Sequence, residues 1–255
     1  MRWLGLDQDP SARGGTQVYF PPGADEPVRF WLRLPFSWEE GKAYPLLVFL
    51  PSHGGNHRWP WSSPALKTLR QKLLRAGFIC VSPDLGPNHW MNAPARAKLA
   101  GLLDFLLIRW PIDGQRVHLF GLSMGGSGSL IFAAHYPERV RKVGSAMGVT
   151  DFTRFYAEGH YQASLCQAFG GSPDEVADIY RAQSVLWNID RLAGVPVLIL
   201  HGTGDAIVPL WNARDFVARM RAAGQEVTYF EIEGRGHGPG IVGGYEEEIV
   251  NFFRC

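Results

Sequence analysis

The chain carries the stretch Val117-His118-Leu119-Phe120-Gly121-Leu122-Ser123-Met124-Gly125, in which an apolar run passes directly into a G-x-S-x-G pentapeptide. The residues that follow, Ser129 to His135, can form a helix. A serine placed between a strand and a helix by this motif lies on a sharp turn that projects its hydroxyl into a site. The flanking glycines allow close backbone approach where a Cβ would clash. We therefore interpret Ser123 as a nucleophile rather than as part of an ordinary glycine-rich turn.

Short apolar runs alternate with longer amphipathic segments along the rest of the chain. The runs predict strands at 28–34, 46–50, 78–81, 117–120, 140–147, 195–200 and 227–232. The amphipathic segments predict helices at 65–76, 95–110 and 245–253. Continuous apolar strands that alternate with helices are typical of a mainly parallel sheet with helices on both faces. The early strands have no helix between them, so we expect them to be antiparallel.

The segment 150–192 interrupts this alternation, and we interpret it as a small helical cap inserted into one domain that spans residues 1–255. Ser172 as N-cap, Pro173 at the first helical position and Glu175 as the partner in a capping box predict a helix start. Aromatic side chains of the segment either line a substrate pocket or form the cap's own core, and both interpretations stay open. These residues are Phe152, Phe155, Tyr156, Tyr161, Phe169, Tyr180 and Trp187.

A serine hydroxyl needs a base to take its proton, and the base needs an acid that orients it. Asp205 follows the predicted strand at 195–200, and His237 follows the predicted strand at 227–232. Ligands of open parallel sheets bind at the carboxyl ends of the strands, where both residues would lie. The order Ser123, Asp205, His237 is the order expected for a serine on a strand-to-helix turn. Asp151, which follows the predicted strand at 140–147, is the rival candidate for the acid.

The oxyanion of a tetrahedral intermediate needs two hydrogen-bond donors. The backbone N–H of Met124 is the first candidate, because it follows the nucleophile at the start of a helix, where N–H groups are unpaired. The loop after the strand at 46–50 reads Pro51-Ser52-His53-Gly54-Gly55-Asn56 and exposes further N–H groups. We expect Gly55 to supply the second donor, with Gly54 or Asn56 as alternatives.

Three tryptophans are candidates for contact with the substrate. Trp59 and Trp90 lie in loops that follow predicted strands, and Trp187 lies in the cap segment. Loops at the carboxyl edge of the sheet often carry binding residues, although indoles also serve simply to cover loops.

No metal site is expected. His53 and His57 are four residues apart, but the H-E-x-x-H pattern is missing and two glycines interrupt any helix between them. We instead assign His53 a hydrogen bond to loop backbone and His57 a place at the rim of the site.

The composition excludes several classes of function. The formal net charge of the 255 residues is +1, which gives no electrostatic case for a nucleic-acid partner. No apolar stretch reaches about 18 residues, so we expect no membrane span.

The N-terminal residues show no signal peptide, and the sparse Cys80, Cys166 and Cys255 favour reduced thiols. We therefore expect a cytoplasmic protein, with a secreted protein whose signal has been removed as the alternative. No sequence feature fixes its oligomeric state.

Taken together, these residues resemble the α/β-hydrolase superfamily from about Val28 to Phe253. The stretches 113–126, 184–190 and 195–205 are similar to its prolyl-oligopeptidase-like and feruloyl-esterase-like branch. The resemblance implies an α/β-hydrolase fold and assigns Ser123, Asp205 and His237 as nucleophile, acid and base. The chain shows no counterpart of the large propeller domain that screens peptides in prolyl oligopeptidases, which favours an ester substrate.

The sequence thus predicts a serine esterase that acts on a small-molecule ester and needs no cofactor. Hydrolysis of peptides or aminoacyl amides is the alternative. An acyltransferase, or a binding protein without catalysis, would share the same scaffold.

Overall fold

The computed structural model describes residues 2–5, 14–21 and 26–254, with only the backbone described for residues 2–5. Cys80 and Cys166 are free thiols. Cys255 and most of the N-terminal segment in which we expect no signal peptide lie outside the described residues. No helix of the described ranges combines the length and apolar character needed to cross a membrane.

A single mixed sheet of nine strands forms the centre of the described structure. The strands are β1 Arg2–Gly5, β2 Gly14–Phe20, β3 Val28–Arg33, β4 Tyr44–Leu50, β5 Ile79–Pro83, β6 Ile112–Leu122, β7 Lys142–Ala146, β8 Val197–Gly202 and β9 Val227–Ile232. Their order across the sheet is β1-β2-β3-β5-β4-β6-β7-β8-β9. Strands β4 to β9 pair in parallel with one another, whereas β1, β2 and β3 pair antiparallel. The mainly parallel sheet with antiparallel early strands is thus confirmed.

Helices cover both faces of this sheet. They are α1 Trp59–Ser62, α2 Lys67–Arg75, α3 Ala93–Arg109, α4 Met124–His135, α5 Phe152–Ala157, α6 Gln162–Phe169, α7 Ala177–Gln183, α8 Trp211–Ala222 and α9 Glu246–Arg254. Helices α2 and α9 pack on one face, and α3, α4 and α8 pack on the other.

Alternation along a strand explains why the central strands are apolar throughout. In β4, Leu46, Val48 and Leu50 join the core beneath α3 and α4, whereas Leu47 and Phe49 join the core beneath α2 and α9. Successive side chains of a strand point to opposite faces, so a strand buried on both faces needs apolar residues at every position.

The cap segment, residues 150–192, lies between β7 and β8 and contains α5, α6 and α7. Most of its aromatic residues are core residues: Phe152, Phe155, Phe169 and Tyr180 are buried in the cluster that also holds α3 and α4. The interpretation of these four residues as packing is therefore the one that the structure supports.

The predicted helix start at Ser172 is wrong. Only one of the two capping-box contacts forms: Glu175 Oε2 accepts the Ser172 N–H at 2.8 Å. The Ser172 hydroxyl donates to the same oxygen at 2.9 Å, whereas the Glu175 N–H donates to the Ser172 carbonyl at 3.1 Å instead of to the hydroxyl oxygen. The turn they close ends at Val176, whose φ of −134° is not helical, and α7 begins only at Ala177. Ser172 and Glu175 therefore close an isolated turn here, because the backbone leaves the helical region at Val176.

Candidate active site

Ser123 lies between the end of β6 and the start of α4, with φ 55° and ψ −122°. A positive φ is strained for a residue with a Cβ, and such strain is concentrated at functional sites. The turn is held by the Ser123 N–H, which donates to the Ala146 carbonyl at 2.8 Å. A Cβ at Gly121 would collide with the Gly125 carbonyl, and a Cβ at Gly125 would collide with the Leu50 carbonyl. Both glycines are therefore required for the serine to take this position.

The structure brings Ser123, His237 and Asp205 together from three separate loops. His237 Nε2 lies 2.9 Å from Ser123 Oγ, and His237 Nδ1 lies 2.8 Å from Asp205 Oδ2. The Asp205 side chain is fully buried, and the His237 side chain is 17% exposed. Since Asp205 accepts at Nδ1, the imidazole is oriented with Nε2 towards the serine hydroxyl.

Several groups besides His237 hold the Asp205 carboxylate. The N–H groups of Ile207 and Val208 each donate to Oδ1 at 2.9 Å, and His201 Nε2 lies 3.4 Å from Oδ2. Burial alone would raise the pKa of Asp205, but the hydrogen bonds from His201, His237 and Val208 outweigh it and hold the pKa well below its usual range. Asp205 is therefore a carboxylate able to stabilise a positive charge on His237.

Asp151, the rival acid, has a different role in the structure. It is the N-cap of α5, and its Oδ1 accepts the N–H groups of Thr153 and Arg154. Its Oδ2 accepts the indole N–H of Trp187 at 3.0 Å. With both oxygens engaged there, Asp151 is a helix cap, and the carboxylate that contacts His237 is Asp205.

The two N–H groups predicted to bind the oxyanion differ in whether they are already hydrogen-bonded. Met124 is the first residue of α4, where an N–H has no partner within the helix. The Gly55 N–H, in contrast, donates to the Ser52 carbonyl at 2.9 Å, and the Gly54 N–H donates to the Pro87 carbonyl at 2.8 Å. The expectation that Gly55 supplies the second donor is corrected here, because a tight turn within the loop engages its N–H.

A pocket of about 190 Å³ opens at Ser123. Its walls are Ser52, His53, Trp59, Leu122, Met147, Tyr161, Gly238 and Pro239, together with Ser123 and His237. Met147 and Tyr161 have positive φ values of 54° and 50°, so three non-glycine residues around this pocket are strained. The sequence gives a signal for Met147, which directly follows β7 at the carboxyl edge of the sheet, but sequence reasoning did not single it out.

The three candidate tryptophans take three different positions. Trp59 lines the pocket. Trp90 is 1% exposed and lies behind the pocket wall, with its ring against those of His53 and Tyr161. Trp187 does not line the pocket: it is half exposed and covered by Arg219, whose guanidinium lies 4.1 Å from its ring centroid. Of the three, only Trp59 is placed for direct contact with a substrate at Ser123.

The two loop histidines also differ from expectation. His53 Nε2 contacts the Ser164 hydroxyl of α6 at 3.1 Å rather than loop backbone, and its ring lines the pocket. His57 is buried instead of lying at the rim, with Nδ1 3.3 Å from Asp84 Oδ2 and Nε2 3.4 Å from Thr16 Oγ1. Among the described residues, no group of His, Cys, Asp and Glu side chains is arranged to hold a metal ion.

Of two proteins similar in sequence, one is named an esterase and the other is named inactive. Esterase LipC from Mycobacterium tuberculosis is 27% identical over 230 residues, which cover 80% of this chain and 55% of LipC. Inactive dipeptidyl peptidase 10 from Rattus norvegicus is 28% identical over 138 residues, which cover 54% of this chain and 16% of that protein. The chain thus spans about half of LipC and a much smaller part of the second protein. Since one relative is named as inactive, catalysis has to be argued from this chain's own residues.

A structural match and a family model agree on the fold. A Mycobacterium tuberculosis puromycin-hydrolyzing peptidase superposes with a TM-score of 0.78 at 20% identity, which covers 98% of this chain and 40% of that one. The fold is the α/β-hydrolase fold, as predicted. The family model described as the prolyl oligopeptidase family matches residues 99–253, which is more than half of the chain. The chain therefore belongs to the prolyl oligopeptidase family.

Proposed function

We propose that this chain is a serine hydrolase that cleaves carboxylic esters through an acyl-enzyme on Ser123. The observation that carries the proposal is the pair of contacts made by His237, 2.9 Å to Ser123 Oγ and 2.8 Å to Asp205 Oδ2. With Nδ1–H donated to Asp205, the lone pair of Nε2 faces the serine hydroxyl and can accept its proton.

In the proposed reaction, His237 takes the proton of Ser123 while Oγ attacks the ester carbonyl carbon. The C–O bond to the alcohol then breaks, and His237 gives its proton to the departing oxygen. Water that loses a proton to the same imidazole attacks the acyl-enzyme, which releases the acid and restores Ser123. These side chains and water suffice for every step, so the proposal includes no cofactor.

Two backbone N–H groups are proposed to stabilise the oxyanion. Met124 provides the first, at the positive end of α4. For the second we propose His53, which lines the same pocket and whose N–H has no acceptor within the described part of the chain. Removal of one such donor costs roughly 3 kcal/mol of transition-state stabilisation.

The walls of the pocket favour an ester over an aminoacyl amide. An aminopeptidase has to bind the α-ammonium group of its substrate, yet none of the residues that line the pocket in the described structure carries a carboxylate. Trp59, Met147, Tyr161 and Pro239 instead offer apolar and aromatic surface, which fits an apolar or aromatic acyl group. The alignment with LipC, which is named an esterase, agrees with this choice.

The proposal is tested by comparing 4-nitrophenyl butyrate with 4-nitrobutyranilide, which share the acyl group and differ in the bond cleaved. We expect kcat/KM for the ester to exceed that for the anilide by about 1,000-fold or more, and Ser123→Ala to abolish both activities. A fluorophosphonate should label the wild-type protein and leave Ser123→Ala unlabelled. Comparable rates on an aminoacyl anilide would favour a peptidase, and an unlabelled wild-type protein would rule out the proposed nucleophile.

A further inference from the structure

A second pocket lies on the sheet face that carries α2, between β3 and the helices α1 and α2. Its volume is about 290 Å³. Along β3, Phe30 and Leu32 are buried in the core of the other face, while Trp31 and Arg33 alternate with them and line this pocket. Helix α1 separates it from the pocket at Ser123, because Trp59 lines the catalytic pocket and Trp61 lines this one.

The aromatic walls of the second pocket contain two unused donors. The rings of Trp31 and Trp61 stack with centroids 6.3 Å apart and planes inclined by 24°. Both indole N–H groups are buried, and neither has an acceptor among the described residues. A buried donor without a partner costs about 1–3 kcal/mol, so two of them on neighbouring rings favour an acceptor supplied by a ligand.

The polar lining is strongly one-sided in charge. Arg33, Lys67 and Arg70 line the pocket, and no acidic residue does so within the described structure. Neither Arg33 nor Lys67 forms an ion pair with a described residue. Arg70 Nη1 is held by the carbonyls of Pro60 and Ser63, at 2.5 Å and 2.7 Å.

Among the described residues, no carboxylate pairs with Arg70, whose guanidinium contacts the two carbonyls and lies 5.9 Å from the Trp61 ring centroid. The pKa of Arg70 is lowered, first by burial and then by the neighbouring charge of Arg33. A ligand with negative charge would relieve the repulsion between these two guanidinium groups.

We propose that this pocket binds a small organic anion with a flat ring, such as an aromatic carboxylate. The carboxylate oxygens would accept from Arg33, Lys67 and the indole N–H groups, since the indoles have no acceptor and the two cations have no ion-pair partner in the part of the chain that the structure describes. The ring would lie on the indole surface, where stacking and apolar contact are favourable. This site is separate from the chemistry at Ser123, so the proposal stands or falls independently of the proposed esterase activity.

The test is calorimetric titration of the full chain with benzoate. We expect saturable binding, with Kd increased about tenfold in Arg33→Gln and in Lys67→Gln, since each removes one charged donor. Lys98→Gln, on α3 outside this pocket, is the matched control and should bind like the wild type. Benzyl alcohol, which keeps the ring but lacks the charge, should bind at least tenfold more weakly than benzoate.

A third pocket variant, Trp61→Phe, distinguishes loss of binding from loss of folding. Trp61→Phe keeps an aromatic ring and removes one indole donor. We expect it to increase the Kd for benzoate severalfold, while thermal melting shows that the fold is intact. Benzoate bound in the Ser123 pocket would be insensitive to all three pocket substitutions, and that result would overturn the proposal. Absence of saturable benzoate binding to the wild-type chain would overturn it as well.

Discussion

Asp205 and Asp151 are both aspartates that follow a strand of the sheet, but they use their oxygens differently. Asp205 accepts two backbone N–H groups through Oδ1, and its Oδ2 lies 2.8 Å from His237 Nδ1 and 3.4 Å from His201 Nε2. Asp151 accepts two N–H groups of its own helix and the Trp187 indole. At the scale of single residues, hydrogen-bond partners therefore distinguish an acid that orients a base from an acid that caps a helix.

This difference predicts opposite results for one isosteric change. Asp205→Asn should lower kcat by about 1,000- to 10,000-fold, because an amide neither fixes the required tautomer of His237 nor stabilises its positive charge. KM should change little, since the substitution does not alter the pocket walls. The measurement is steady-state hydrolysis of a 4-nitrophenyl ester.

Asp151→Asn is the matched control, because asparagine caps helices about as well as aspartate. We expect its kcat to stay within about twofold of the wild type. If Asp151→Asn proved the more damaging of the two substitutions, the assignment of the acid would have to be reversed.

At the scale of elements, helix α6 of the cap is fixed to the rest of the structure through Ser164. Its hydroxyl donates to Asn88 Oδ1 at 2.5 Å and accepts the Trp90 indole N–H at 2.8 Å. His53 Nε2 lies 3.1 Å from the same oxygen. Since the single hydroxyl proton is used for Asn88, His53 has to donate, which assigns the Nε2–H form to its imidazole. The contact connects α6 to the loop proposed to carry the second oxyanion donor.

Ser164→Ala should therefore impair catalysis without unfolding the protein. Loss of the hydroxyl leaves the Trp90 indole and the His53 imidazole without their acceptor, which should cost about 1–3 kcal/mol of the free energy of unfolding. We expect kcat to fall about tenfold as the loop at His53 loosens, because a small displacement of an oxyanion donor weakens transition-state binding.

Ser172→Ala, in an exposed turn of the same cap segment, is the control and should keep wild-type kcat. Equal kcat values for the wild type and Ser164→Ala, together with the expected loss of stability, would show that α6 does not position the loop.

Strands, helices and site residues are predictable from the sequence where the pattern of neighbouring residues determines them. Strands β4 and β8 are predictable because burial on both faces requires apolar residues at every position, and Asp205 is predictable because it follows β8. His237 follows β9, which is only partly buried but is rich in β-branched and aromatic residues. Helix α8 also leaves a signal, since Ala213, Phe216, Val217 and Met220 are buried at helical spacing. It was nevertheless absent from our sequence-based predictions.

Other features depend on partners distant in the chain and leave no local pattern. The Gly54 N–H is engaged by the Pro87 carbonyl, which only tertiary structure brings near. Trp187 is held away from the catalytic pocket by Asp151 and Arg219. Tyr161 could be predicted as one aromatic residue of the cap, but its place in the pocket wall depends on how α6 docks against His53 and Trp90.

At the scale of the whole molecule, folding keeps three histidines neutral: His89 and His118 are buried, and His135 is partly buried. Burial lowers the pKa of His118 to about 3, and nearby Lys142, Arg116 and Arg141 act in the same direction. Burial likewise lowers the pKa of His89 and of His135 to about 4. His118 lies between the rings of Phe78 and Phe253, and neither of its ring nitrogens has a partner in the described structure.

These pKa values predict loss of stability in mild acid. Above pH 6.5, the ordinary pKa of histidine, these side chains are neutral in the folded and unfolded states alike. Below pH 6.5 these histidines become protonated in the unfolded chain, whereas in the folded chain they stay neutral until about pH 4. The free energy of unfolding therefore decreases as the pH falls from 6.5 to about 4. Each such histidine contributes up to about 1.4 kcal/mol per pH unit.

His118→Leu should remove one of the groups that take up a proton on unfolding in mild acid. The fold should stay intact, because leucine fills a similar volume between Phe78 and Phe253. Between pH 6.5 and pH 5, the free energy of unfolding should fall by about 1.6 kcal/mol less in the variant than in the wild type. At pH 7 it should be at least as stable as the wild type, since two buried nitrogens without partners are gone. Urea unfolding at pH 5, 6.5 and 7 measures both the pH dependence and the stability at neutral pH. The control is His160→Leu, at a partly exposed position of the cap segment. Identical pH dependence in the wild type and His118→Leu would mean that His118 is hydrated or already protonated in the folded protein, and acid sensitivity would then have to arise at His89 and His135.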